Sequence, residues 1–173
     1  MKIGRLTVSD RASAGAYEDR SGPQIEHILR EVFGAETQFR AAVVADETRS
    51  IATQLRRFAD DDRCDLIVTT GGTGIAPRDV TPEATRTVLD KELPGFGEIL
   101  RVESFARVPT AILSRATAGV RGTSLIVNLP GKPSAVAECL ALLRPALIEG
   151  LEHLAGRDPH AVAPGQPQPP SPS

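Results

Sequence analysis

Tryptophan is absent, and the 173-residue chain holds only one tyrosine and five phenylalanines. So few rings leave little on which nucleic-acid bases could stack. Basic runs are missing too, and the formal net charge is −2, so no electrostatic nucleic-acid surface is expected. Two cysteines, Cys64 and Cys139, cannot build a disulfide framework. With His27, His153 and His160 scattered along the chain, they also lack the spacing of a structural zinc site. No run of about 18 apolar residues occurs, so no membrane span is expected. The chain opens on a strand-like run rather than a signal-peptide pattern. These absences point to a soluble, cytoplasmic protein. Any anionic ligand must then be held by local geometry, because bulk charge does not attract it.

What is present is the composition of one globular domain. Hydrophobic residues make up 40%, and 15 glycines bring the total to the ordinary globular level of about half. A chain of this length can bury a core without covalent staples. Residues 1–156 are read as that domain. The remainder, 157–173, is a different material: six prolines lie between Pro159 and Ser173, with Val162 the one strongly apolar residue besides alanines. Such a stretch cannot bury enough surface to offset its ordering entropy, so a disordered or polyproline-like tail is expected.

Strand-like and helix-like patterns alternate before the tail. Ile3–Ser9, Thr37–Val44, Asp65–Thr70 and Thr123–Asn128 read as strands, the last two as short apolar runs buried on both faces. Between them, Ile25, Ile28, Leu29 and Val32 recur at helical spacing after Ser21-Gly22-Pro23, and Gly34 ends that helix. Ile51, Leu55 and Phe58 mark a second helix, and Thr81-Pro82-Glu83 opens a third, with Thr81 as cap. Phe96–Ala106 is helical. From Ser134 a long apolar stripe runs to Leu154, and Pro145 is expected to kink or split it. The succession predicts an α/β fold with a mainly parallel sheet and helices on both faces.

In open sheets of this kind ligands sit beyond the carboxyl ends of the strands. Those four places carry the most unusual sequence: Ser9-Asp10-Arg11-Ala12-Ser13, Asp46-Glu47, Thr69-Thr70-Gly71-Gly72-Thr73-Gly74 with Pro77-Arg78-Asp79, and Asn128-Leu129-Pro130-Gly131-Lys132-Pro133. Glycines let backbone amides approach and converge on phosphate oxygens. The loop is neither G-x-G-x-x-G nor a P-loop, so neither a dinucleotide dehydrogenase nor a P-loop NTPase is supported. Asp46 and Asp79, two carboxylates beside a polyphosphate site, suggest Mg²⁺. Helix capping is the competing explanation for each acid, Asp46 at the Thr48 helix and Asp79 at the Pro82 helix. Arg11, Arg78, Arg115, Arg121 and Lys132 are candidate phosphate partners by position at the rim. Cys64 and Cys139 read as packed apolar residues. No His or Cys stands as a base beside a nucleophilic serine, which removes support for a hydrolase triad.

Assembled, these elements closely resemble the molybdopterin adenylyltransferase family of molybdenum-cofactor biosynthesis, which includes the bacterial MogA type and the G domains of its plant and animal relatives such as gephyrin. The matching segments are TVSDRASAG (Thr7–Gly15), DRSGP (Asp19–Pro23), TTGGTG (Thr69–Gly74), PRDVTPEAT (Pro77–Thr85), PGFGE (Pro94–Glu98), LSRATAGVRG (Leu113–Gly122) and NLPGKP (Asn128–Pro133). They span about residues 1–155.

The resemblance implies an α/β three-layer sandwich on a mixed sheet, usually a homotrimer. It implies ATP-dependent transfer of AMP to the terminal phosphate of molybdopterin, with Mg²⁺, and hand-over of the product to a molybdenum-insertion enzyme. Its acidic positions match Asp46 and Asp79, as catalytic and metal-binding residues. Its nucleotide side matches Gly71, Gly72, Thr73, Gly74, Asn128, Pro130 and Gly131. Its molybdopterin side matches Ser9, Asp10, Arg11, Ser13, Thr81, Ser114 and Arg115. Two other readings compete: a catalytically silent, MoaB-like pterin-binding scaffold, and a nucleotide pyrophosphatase on the same sheet, for which no water-activating base is evident.

Overall fold

A computed structural model describes residues 1–157. The proline-rich stretch from residue 158 lies outside the described residues. Among those described, the strands are β1 (Lys2–Val8), β2 (Gln38–Val44), β3 (Leu66–Thr70), β4 (Lys91–Glu92), β5 (Ala118–Arg121) and β6 (Ser124–Leu129). The helices are α1 (Asp10–Ser13), α2 (Ser21–Phe33), α3 (Thr48–Arg56), α4 (Thr81–Arg86), α5 (Gly95–Phe105) and α6 (Pro133–Leu154). A π turn, Arg57–Asp61, extends α3, and a 3-10 turn, Pro109–Leu113, follows α5. One sheet holds all six strands in the order β2-β1-β3-β6-β5-β4. The first four are parallel, and β5 and β4 are antiparallel to their neighbours.

The four parallel strands stand where the hydrophobic pattern puts them, within a residue or two at each end. Every residue of β3 and β6 is buried, which explains their unbroken apolar runs. Successive side chains point to opposite faces. Ile3, Leu66, Val68, Leu125 and Val127 therefore pack with Ile25, Leu100 and Leu140 beneath α2, α5 and α6. Leu6, Ile67 and Ile126 face Ile51, Leu55 and Ala84 of α3 and α4. That is a three-layer sandwich. Fully buried aliphatic side chains each contribute about 1.5–3 kcal/mol, and Ile3, Leu6, Leu66 and Ile67 are all fully buried at its centre.

Several local expectations are corrected. Ser21, Thr81 and the Asp46–Thr48 segment do not cap their helices through side chains. Ser21 and Thr81 are instead the first helical residues, and each donates its hydroxyl to a loop carbonyl, Ser21 to Gly131 and Thr81 to Gly71. Asp19 Oδ1 accepts from the Gly22 amide in the first turn of α2. Pro145 does not split α6, which runs unbroken over 22 residues. Ala141, whose carbonyl loses its partner at a proline four residues on, is exposed, so water can satisfy that group. The short antiparallel strands β4 and β5 carry no pattern long enough to read.

Candidate active site at the carboxyl ends of the strands

β1, β2, β3 and β6 all end on one edge of the sheet, and each end carries one of the segments singled out by sequence. Ser9 caps the single turn of α1, its Oγ accepting from the Ala12 amide. Beside it, Asp10 and Asp46 are locked reciprocally. The Asp10 amide donates to Asp46 Oδ2 at 2.7 Å, and the Asp46 amide donates to Asp10 Oδ1 at 3.0 Å. Arg78 then forks onto both Asp10 oxygens, at 2.7 and 2.9 Å. This pairing joins the loop after β1 to the loop after β3, and it holds the Asp10 carboxyl below the usual carboxylate range. Arg11 stacks over the Tyr17 ring at 5.1 Å, and Ser13 donates its hydroxyl back to the Asp10 carbonyl.

The glycine loop passes between the two acids. Gly71 and Gly72 adopt positive φ, +98° and +63°. A Cβ on Gly71 would clash with the Val8 carbonyl oxygen, so only glycine lets the loop cross β1 this closely. A Cβ on Gly72 would lie 3.1 Å from Asp46 Oδ1, and one on Gly74 would lie 2.8 Å from Asp79 Oδ2. Asp46 and Asp79 therefore flank one loop. Burial raises the Asp46 carboxyl above its ordinary value, and the charges of Asp10 and Asp79 push the same way, against the Asp10 amide and Arg78. Neither acid caps its neighbouring helix: Asp46 serves the Asp10 amide, and Asp79 Oδ2 accepts from the Ala76 amide at 2.8 Å. Among the described residues, no protein acceptor pairs with the amides of Gly72, Thr73 or Gly74. Three adjacent unclaimed donors are what an anion nest requires.

The loop is fixed from several sides. The Gly71 amide donates to the Leu129 carbonyl, the Thr70 hydroxyl to the Pro130 carbonyl, and the Thr81 amide to the Gly72 carbonyl. Gly131 approaches so closely that a Cβ on it would lie 3.3 Å from Gly71 Cα. Pro130 and Gly131 thus stand against the loop. Asn128 does not line it with its side chain. Asn128 is fully buried, and its amide donates to the Thr69 and Thr85 hydroxyls at 3.0 and 2.9 Å. Strand parity held the signal: Asn128 lies two residues beyond Ile126 and so faces α4 rather than the rim.

Ser114 and Arg115 reach the rim from the segment before β5, and both border it. A cavity of about 350 Å³ beside the loop is walled by Thr73, Gly74, Ser114 and Pro130, with Leu100 and Cys139 deeper in. Arg121 does not belong to the rim. It pairs in register with Ser124, at the start of β6, and its guanidinium is held by Asp60 and the Val88 carbonyl. The antiparallel direction of β5 carries it to the opposite edge. Cys64 and Cys139 are buried, and burial pushes both thiols up to about 11, as fits core packing rather than nucleophiles. Sequence reasoning passed over Arg5 and Glu26. Arg5 bridges Asp19 and Glu26 at 2.7 and 2.8 Å, and Asp19 Oδ2 also accepts from the Thr7 hydroxyl, so the 14–20 loop is tied to β1.

A Helicobacter pylori protein named molybdopterin adenylyltransferase is 54% identical over 145 residues, 84% of this chain and 82% of that protein. The Escherichia coli K12 protein of the same name is 44% identical over 140 residues, 81% and 72% of the two chains. The crystal structure of the molybdopterin biosynthesis enzyme MoaB from Thermus thermophilus superposes with a TM-score of 0.81 at 43% identity, covering 90% of this chain and 97% of that one. The family profile described as "Probable molybdopterin binding domain" matches residues 4–149, and the chain belongs to that family.

Proposed function

We propose that the chain transfers AMP from ATP to the terminal phosphate of molybdopterin, giving adenylyl-molybdopterin and pyrophosphate. The observation that carries this reading is the pair of acids flanking one glycine loop whose amides at 72–74 are unclaimed. The names of the H. pylori and E. coli relatives support it. A phosphate oxygen of the pterin forms the new bond to the α-phosphorus, and the bond to the β-phosphate bridging oxygen breaks, releasing pyrophosphate. The attacking group belongs to the substrate, so no protein nucleophile is needed. Catalysis is then positioning and charge neutralisation at phosphorus.

On this reading the glycine-loop amides hold phosphate oxygens, with Pro130 and Gly131 forming the opposing wall and Asn128 bracing it from within. Ser9, Asp10, Arg11, Ser13 and Ser114 frame the side that receives molybdopterin, while Thr81, fully buried with its hydroxyl on the Gly71 carbonyl, braces the loop from behind rather than facing that side. The donor set fits Mg²⁺, which uses one or two carboxylates together with substrate phosphates. Asp46, from the loop after β2, and Asp79, from the loop after β3, are hard oxygen donors flanking the same glycines, and among the described residues no cluster of three such ligands forms a cage for the ion by itself. Bound there, Mg²⁺ would neutralise charge developing on the phosphates. Among the described residues no helix is long and apolar enough to cross a membrane; work in the cytoplasm and hand-over to a molybdenum-insertion enzyme are further parts of the proposed reading. Exposed Val102, Phe105 and Ile112 on α5 and the 3-10 turn offer an apolar face for assembly into a trimer.

Asp79→Asn tests the reading. The amide keeps an acceptor for the Ala76 N–H and removes only the charge. Turnover with Mg-ATP and molybdopterin should fall by about 10²–10³. Near wild-type turnover would remove Asp79 from the reaction.

A further inference from the structure

Arg115 matches the pterin side by family resemblance, yet its side chain is engaged elsewhere. Nε donates to the Gly74 carbonyl at 2.6 Å, a terminal nitrogen donates to the Asp79 carbonyl at 2.5 Å, and the other pairs with the Glu83 carboxylate. The Arg115 backbone amide adds a fourth tie, to the Thr73 carbonyl at 2.9 Å. One residue therefore grips both ends of the 73–79 segment, the stretch that carries the unclaimed amides at one end and Asp79 at the other. A guanidinium is a planar fork with donors in fixed directions, so it can hold these acceptors at set spacing, as an ammonium cannot. The grip arrives from the segment that also presents Ser114 to the rim cavity.

We propose that Arg115 is a positioning residue, which sets the glycine loop and Asp79 for AMP transfer from the pterin-side segment rather than by binding substrate. This rests on the adenylyl-transfer reading. Without the strut, Gly74 and Asp79 lose their common reference and the phosphate cradle opens. Glu83 has a supporting part: its carboxylate aims the guanidinium toward the two carbonyls.

The test uses Arg115→Lys, which keeps charge and stem, and Glu83→Gln, which keeps the side-chain shape. In steady-state assays with Mg-ATP and molybdopterin, Arg115→Lys should lower kcat by about 10–100-fold while KM for molybdopterin stays within about threefold. Glu83→Gln should shift kcat in the same direction by less. Hydrogen exchange on the ligand-free proteins is read in parallel. The bonded amides of Ala76, Asp79 and Thr81 should exchange about tenfold faster in Arg115→Lys, with the β3 amides unchanged. A rise in KM for molybdopterin with kcat and loop exchange unchanged would make Arg115 a substrate ligand and overturn the proposal. Unchanged exchange at the loop amides would overturn it as well. Exchange does not depend on turnover, so the strut is decided even if the wild-type protein adenylylates nothing.

Discussion

On the glycine-loop side of the rim, apart from the Arg115–Glu83 pair and the Asp79–Ala76 bond, the ties run to backbone carbonyls or between enclosed neutral groups: Thr70 to Pro130, Thr81 to Gly71, Asn128 to Thr69 and Thr85. On the side of Asp10 and Asp46, the tie across to the neighbouring loop is an ion pair between side chains 45% and 58% exposed. The first kind of bond is costly to leave unmade once its groups are buried. The second is screened by salt and solvent. The rim thus has a fixed lip, which presents the unclaimed loop amides, and a softer lip whose charges respond to pH and ionic strength.

Breaking the fixed lip should cost most. Gly71→Ala forces a side chain into positive φ against the Val8 carbonyl, and urea unfolding should show a loss of about 2–4 kcal/mol. An unchanged midpoint would mean the loop and β1 are not held as closely as described. Asn128→Ala comes next. It strips the Thr69 and Thr85 hydroxyls of their shared partner in a fully buried place, for a loss of about 1–3 kcal/mol by the same measurement. A neutral result would show that the amide is not bracing the strand ends.

The soft lip should respond with smaller effects, and one of opposite sign. The Asp46 carboxyl is raised, chiefly by burial. Its contribution to stability is therefore fully present below the unfolded value of 3.8, is lost as pH rises through the folded value, and leaves a penalty at neutral pH. Asp46→Asn should abolish turnover yet slightly stabilise the fold at pH 7, a gain kept small by solvent screening. That gain should shrink as the pH is lowered through the raised folded value. A gain that grew in acid would reverse the assignment. Asp10 behaves the other way. Its carboxyl is lowered, first by the hydrogen bonds from Arg78, so its contribution is present above the unfolded value and lost as pH falls through the folded one. Arg78→Ala should produce the smallest change of all, a thermal midpoint that depends less on salt between about 0.05 M and 0.5 M than that of the wild type. Equal salt dependence in the two proteins would place the pair outside the tie between the loops.

The parallel half of the sheet was legible because long apolar runs and helical periodicities leave little choice. The site was legible because the rule that ligands gather beyond strand ends pointed at four segments already unusual in composition. What stayed hidden follows from geometry that lies between distant residues. Capping of the α3 and α4 helices by Asp46 and Asp79 is ruled out only when the Asp10 and Ala76 amides are seen as their partners. Arg121 and Arg115 flank the same short motif, but a four-residue antiparallel strand separates them to opposite edges of the sheet. Arg5 sits mid-strand among apolar residues and gains its meaning from Asp19 and Glu26, which are 14 and 21 residues on.

The central claim is that four strand ends close on one centre for AMP transfer. Release of pyrophosphate by the purified wild-type chain, with Mg-ATP and molybdopterin supplied separately and together, measures it directly. The account predicts release only when both are present, matched mole for mole by a pterin gaining the mass of an adenylyl group. Pterin bound without turnover, or pyrophosphate released from a nucleotide in the absence of molybdopterin, would contradict it.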